Sequence, residues 1–217
     1  MNSKYIDVYI VKLNKFLNEE QQDFPDFRTF NDYKKQQIQS VRNRLIAEKL
    51  QLNSIELEFA KHEHGKPYLL NHTLHFNHSH SQQYYALAMS EHVKDIGVDV
   101  EELDRNVRLD ALAKHAFHPD EYETWLSLEQ DREYWFKVWT IKEAVLKASG
   151  LGIRLDLNTL NTQAHPIDQG GVCSHPLNGI FAYQNFIVGN MILTVAWRSE
   201  LSCRGFQFPS IQLHSLI

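Results

Sequence analysis

An α+β fold is what this 217-residue chain predicts, and three observations carry the prediction. Short β-branched and aromatic runs alternate with apolar residues at three- and four-residue steps, in the first half and again in the second. Two of the late runs are joined by Gly189-Asn190, the chemistry of a tight antiparallel hairpin. Apolar residues make up 43% of the chain and charged residues 23%, which is enough to bury a sizeable core. The length suits one domain or two small lobes sharing a core.

Tyr5, Ile6, Val8, Tyr9, Ile10 and Val11 predict a first strand over 5–11. From 32 to 52, Ile38, Val41, Leu45, Ile46 and Leu50 recur at helical spacing. The outer face of that helix and its approach carry Arg28, Lys34, Lys35, Arg42, Arg44 and Lys49 against Asp32 and Glu48, either a solvated face or an anion-receiving surface. His64-Gly65-Lys66-Pro67-Tyr68 predicts a turn, since Gly tolerates unusual dihedrals and Pro fixes φ. Short strands are expected over 74–76, 84–89 and 96–100. Residues 102–106 are charged and without period, and they mark a boundary between an N-terminal lobe, 1–104, and a C-terminal lobe, 105–217.

Two short helices follow over 109–117 and 120–128, the second entered through His118-Pro119-Asp120, where Pro suits a first turn. A longer helix over 133–149 is stopped by Gly150 and Gly152. Residues 161–180 read as loop, and strands close the chain over 181–188 and 191–197. The strands at 84–89 and 191–197 take comparable places in each half, a hint of two similar lobes.

Twenty-two Lys and Arg against twenty-seven Asp and Glu leave a formal charge of −5, which argues against a generally basic nucleic-acid binder. No run approaches the roughly 18 apolar residues of a membrane-spanning helix, and residues 1–7 lack a signal core. Cys173 and Cys203 form neither a disulfide framework nor a metal knuckle, so the expected compartment is the reducing cytoplasm, away from membranes.

The most informative stretch is Asp95-Ile96-Gly97-Val98-Asp99-Val100-Glu101. On a strand Ile96, Val98 and Val100 point to a core, whereas Asp99 and Glu101 share the other face roughly 6.6–7 Å apart. Gly97, on their side, leaves room for something to approach. Two carboxylates so close repel unless a cation sits between them or one stays protonated, and magnesium takes such hard oxygen ligands. The plain alternative is a solvated strand end. Glu143 and Lys147 stand four apart on the apolar helix Trp135, Phe136, Val138, Trp139, Ile141, Val145, Leu146, so they line a pocket or form a surface ion pair. Lys142, on another face, is expected in solvent.

Phe76-Asn77-His78-Ser79-His80-Ser81 is the third stretch. His78 and His80 share a strand face and have a zinc-like spacing without an evident third ligand. On a turn, a Ser and a His offer hydrogen bonds to a phosphate instead. His62, His64, His72 and His75 are expected on surface loops. No Walker-type loop, Gly-x-Gly-x-x-Gly or Gly-x-Ser-x-Gly is present, so any phosphate must be held by Lys, Arg and His side chains with a metal.

Gly-Lys-Pro-Tyr at 65–68, Asn-His-Ser-His-Ser at 77–81, Gly-Val-Asp-Val-Glu at 97–101 and Trp-Thr-Ile-Lys-Glu-Ala-x-x-Lys at 139–147 occur in that order. Together they resemble the motifs of the 4′-phosphopantetheinyl transferases of the surfactin-synthetase-activating (Sfp) type. The motifs span about residues 64–152, and length and element order agree beyond them. The resemblance implies a pseudo-dimer of two similar α+β lobes, each a small, mostly antiparallel sheet with a long helix, and an active site in the cleft between them. It implies transfer of the 4′-phosphopantetheine arm of coenzyme A to a serine of an acyl or peptidyl carrier protein, releasing adenosine 3′,5′-bisphosphate, by a monomer.

By the same resemblance, Asp99, Glu101 and Glu143 would ligate magnesium at the coenzyme A pyrophosphate, and Lys147 would offset charge on the leaving phosphate. Ser79, His80 and Lys66 would contact coenzyme A. Arg28, Lys34, Lys35 and Arg44 would receive its 3′-phosphate, although the family's basic spacing is not cleanly reproduced there and His78 replaces a small or aliphatic residue. Glu143, or a magnesium-bound water beside it, is the candidate base. Leu112, Phe117 and Tyr122 form either a carrier-docking surface or ordinary helix packing. The rival functions are a magnesium-dependent phosphodiesterase or pyrophosphatase acting on a nucleotide without a carrier, and a non-catalytic coenzyme A- or zinc-binding module.

Overall fold

Two four-stranded sheets and the helices laid on them follow from where the apolar periodicities sit. The structure is a computed structural model that describes residues 4–152, 155–199 and 208–216. The first sheet contains β1 (Tyr5–Lys12), β4 (His75–His80), β5 (Tyr84–Ser90) and β10 (Ser210–Ser215) in the order β10-β1-β5-β4. Only β1 and β10 are parallel; β1 with β5 and β5 with β4 are antiparallel. The second sheet is wholly antiparallel: β6 (Ile96–Glu102), β7 (Gly170–His175), β8 (Gly179–Val188) and β9 (Met191–Arg198) in the order β6-β9-β8-β7. β2 (Phe59–Lys61) and β3 (Pro67–Leu69) make a small hairpin, so the turn at Gly65 closes a pair of strands. The architecture is mixed α+β, as the alternation of patterns predicts.

α1 (Phe27–Leu50) starts five residues before its apolar period because Asp26 caps it, accepting from Thr29 N at 2.8 Å. It ends where Gln51 turns left-handed, φ 56°. Ile38, Val41, Leu45 and Ile46 press on Val11, Tyr85, Leu87 and Met89 of the first sheet. α2 (Leu109–Ala116) and α3 (Pro119–Ser127) come next; His118 N donates to Glu121 Oε2 at 2.8 Å, a capping box around Pro119. α4 (Arg132–Ser149) is capped by Asp131 and stopped by Gly150 at φ +72°. Ile141, Ala144, Val145 and Ala148 of α4 cover Phe181, Tyr183 and Ala196 of the second sheet. Ile6, Val8 and Ile10 meet Ile96, Val98, Val100, Leu193 and Val195 in a core common to both sheets.

Three expectations need correction, at 161–180, at His75 and at Lys142, while at Phe117 one of two alternatives holds. His75 is the half-buried first residue of β4 and not a loop residue. Residues 161–180 are not all loop: β7 forms there as the partner that satisfies the edge of β8. Phe117 is 3% exposed and wedged between Trp125 and Trp135, so it belongs to the core and is no docking residue. Lys142 is not solvated: its ammonium is buried, 2.8 Å from Glu121 Oε2 and 2.9 Å from the Leu157 carbonyl, and it also bonds the Leu160 carbonyl. β6, although it precedes residue 104, is hydrogen-bonded into the second sheet. Cys203 lies outside the described residues, while Cys173 is buried and burial pushes its thiol up to about 12. No helix among the described residues is long and apolar enough to cross a membrane.

Candidate active site between the edge strands

β4 and β6 are the edge strands of their sheets, and they face each other. Alternation puts Asn77, Ser79 and Ser81 on one side of β4, and each reaches β6 or its end. Asn77 Oδ1 accepts from Val98 N at 2.9 Å, Ser79 Oγ donates to Asp99 Oδ1 at 2.8 Å, and Ser81 Oγ donates to Glu102 Oε1 at 2.6 Å. Side chains thus stand in for the ladder that would otherwise join the two sheets. His78 and His80 take the opposite side of β4, so Ser79 and His80 sit on a strand, not a turn, and diverge. His78 is pushed down to about 3 by burial, with a buried Nδ1 that has no hydrogen-bond partner among the described residues; His80 is exposed.

α4 supplies the other half of the site. Lys147 Nζ lies 2.6 Å from Asp99 Oδ1, 2.8 Å from Ser79 Oγ and 3.3 Å from the Val98 carbonyl. Of the two alternatives for Glu143 and Lys147, the surface ion pair does not form: the lysine crosses to Asp99 on the strand, because α4 lies hard against β6. Gly97 is the reason. A Cβ there would stand 2.0 Å from Ala144 O and 2.5 Å from Ala148 N, so the room beside the carboxylates is taken by helix backbone.

Burial and the Asp99 charge push the Glu101 carboxyl up to about 7, against the pull of Arg105, which it contacts. Burial first, then Asp99, also raises Glu143, while Lys147 lowers it. The three carboxylates thus lie in one field. Asp99 Oδ2 and Glu101 Oε2 are buried with no hydrogen-bond partner, and the Glu143 side chain has neither hydrogen bond nor ion pair to a described residue. Among the described residues no three His, Cys, Asp or Glu side chains already form a metal cage. Lys147 holds one oxygen of Asp99, and Arg105 holds one of Glu101. The two orphaned oxygens are nonetheless hard donors in a field that calls for positive charge, which fits magnesium.

The raised Glu101 makes a stability prediction. The folded state holds its proton more tightly than the unfolded chain, so folding loses free energy as pH rises from the ordinary value near 4.5 through about 7. Without divalent cations, Glu101→Gln should stabilise the protein at pH 8 by about 1–2 kcal/mol, and the gain should fade toward pH 5. Urea unfolding at the two pH values checks it; equal effects at both contradict it.

The remaining candidates scatter. Lys66 Nζ is 3.0 Å from the carbonyls of Ile96 and Ala148, where it binds the last turn of α4 to β6, and burial pushes it down to about 8. It lines a hollow of about 420 Å³ with His62, His64, Tyr68, His75 and Ser149. Of the four candidate 3′-phosphate residues on α1, Lys34 is half-buried with Nζ 3.5 Å from the Ser81 carbonyl, whereas Arg28, Lys35 and Arg44 are exposed. Lys35 and Arg44, nine residues apart, point to opposite sides of the helix. Sequence reasoning missed Glu102, although a carboxylate on the Ile96–Val98–Val100 face was the signal, and Arg105, which has no local signal.

A sequence model of the 4′-phosphopantetheinyl transferase superfamily matches residues 95–195, the segment with Asp99, Glu101, Glu143 and Lys147. The 4′-phosphopantetheinyl transferase HetI of Nostoc is 42% identical over 104 residues, covering 45% of this chain and 44% of the relative. Ffp and Sfp, two 4′-phosphopantetheinyl transferases of Bacillus subtilis, are 32% and 30% identical over 124 residues, 56% of this chain and 54% of each relative. The chain thus spans about half the length of the curated relatives it matches. In motif order and in the matched segment alike, the chain is similar to the 4′-phosphopantetheinyl transferases of the Sfp type.

Proposed function

We propose that this chain transfers the 4′-phosphopantetheine arm of coenzyme A to a serine of an acyl or peptidyl carrier protein, releasing adenosine 3′,5′-bisphosphate. The observation that carries the reading is Lys147 of α4 bound to Asp99 of β6 and Ser79 of β4, beside two buried carboxylate oxygens without partners. In this reading the two sheets with their helices are the lobes of a pseudo-dimer working as a cytoplasmic monomer, with the reaction in the cleft between them; the sequence boundary at 104 does not separate these lobes, because β6 pairs into the second sheet and β10 into the first.

Asp99, Glu101 and Glu143 hold the magnesium, which when bound supplies Lewis-acid neutralisation of the pyrophosphate. Lys147 and Ser79 are turned to the pyrophosphate, Lys66 borders the hollow that takes another part of coenzyme A, Lys34 adds a cationic contact, and His80, held below its ordinary pKa by desolvation and by Lys34, adds a hydrogen-bonding one. Arg28 and Lys35, seven residues apart on one side of α1, are left to the 3′-phosphate, which Arg44 on the opposite side cannot reach with them. The serine oxygen forms a bond to the pantetheine-bearing phosphorus as the bond to the leaving bisphosphate breaks. Glu143, its carboxyl raised by burial, takes the serine proton, and Lys147 offsets charge on the departing phosphate.

Incubation with coenzyme A and magnesium, with and without an apo carrier, tests the reading. Adenosine 3′,5′-bisphosphate should appear only with the carrier. Release at the same rate without it identifies a phosphodiesterase and overturns the proposal.

A further inference from the structure

The hairpin tip between β4 and β5 is held by a carboxylate to which the proposed reaction gives no part. Glu102, the last residue of β6, is 1% exposed. Its Oε1 accepts from Ser81 Oγ at 2.6 Å and from Gln83 N at 2.7 Å, and its Oε2 accepts from Gln82 N at 3.3 Å. One buried anion therefore fixes the whole turn that follows His80. Among the described residues no cation makes a direct ion pair with it; instead the Lys34 ammonium stands 3.5 Å from the Ser81 carbonyl, within its field. His80 in turn lies in the fields of Lys34, Lys147 and Asp99.

A buried charge is costly and persists only where it organises something. From the geometry we infer that Glu102 is a positioning residue: it clamps the 81–83 turn and thereby seats Lys34 beside His80, where the Lys34 and Lys147 ammonium groups and the His80 imidazole hold the phosphates of coenzyme A. The inference rests on the transferase reading and adds to it a residue outside the four motifs. Neither the strand alternation nor the carboxylates around Asp99 require Glu102, which points to the other face of β6.

Calorimetric titration with coenzyme A in magnesium, alongside carrier-loading kinetics, tests it on Glu102→Ala, Glu102→Gln, Ser81→Ala, Lys34→Ala and the double variant Glu102→Ala/Lys34→Ala. Glu102→Ala should raise Kd and KM for coenzyme A about tenfold, with kcat changed less than about threefold. Glu102→Gln keeps an acceptor for Ser81 and Gln83 and should recover most of the loss. The double variant should bind no more weakly than Lys34→Ala alone. Unchanged Kd and KM, a loss in kcat alone, or an effect that adds to that of Lys34→Ala overturns the inference. If Glu102→Ala does not fold, Ser81→Ala decides: a Kd raised about threefold supports the clamp, and an unchanged one overturns it. A wild-type protein that binds coenzyme A but loads no carrier refutes the transferase reading, while the Kd comparison still decides Glu102.

Discussion

Asp99→Asn should lower carrier loading by about 10²–10³-fold and leave the fold as it is. Asp99 Oδ1 already accepts from Lys147 Nζ and Ser79 Oγ, at 2.6 and 2.8 Å, and an amide oxygen can take both. The change falls on Oδ2, buried and without a partner, where an amide nitrogen would present a donor in place of an acceptor. A hard cation cannot use that group, and the attraction that gathers positive charge beside Glu101 and Glu143 disappears. Folding has no reason to suffer, because relief of the repulsion on Glu101 offsets the weaker bond to Lys147. Circular dichroism and loading kinetics on one preparation check it. Loading at the wild-type rate, or loss of the fold, contradicts the role given to Asp99.

Gly97→Ala should destabilise the protein by about 3 kcal/mol or more and abolish loading as well. The methyl would meet Ala144 O at 2.0 Å and Ala148 N at 2.5 Å, both helix backbone, which cannot rotate away. Relief requires α4 to lift from β6, and the contacts of Lys147 with Asp99, Ser79 and the Val98 carbonyl stretch with it. The same glycine therefore governs packing and chemistry. An unfolding free energy from urea titration that falls by less than about 1 kcal/mol would show that the helix does not need this approach.

Locally signalled features were legible in the sequence. The period-two alternation of 96–101 placed Asp99 and Glu101 on one face, and the stop at Gly150 set the end of α4. Features decided by distant partners were not. Lys142 looked solvated because nothing nearby in sequence announces Glu121, or the carbonyls of Leu157 and Leu160, that bury it. β10 is a strand because β1, some 200 residues earlier, offers a parallel edge, with Tyr5 aligned to Ser210. Lys147 faces Asp99 instead of Glu143 because of how closely two elements approach, a distance that helical spacing alone does not contain. The basic residues of α1 looked like one patch in sequence, but 100° per residue spreads Lys35 and Arg44 to opposite sides.

Mass measurement of a panel of apo carrier proteins, after incubation with the chain and coenzyme A with magnesium or with excess chelator, tests the central claim most directly. The account predicts that at least one carrier gains a single phosphopantetheine on its serine with magnesium, and that none does with chelator. Unmodified carriers throughout the panel, or equal modification under both conditions, would contradict it.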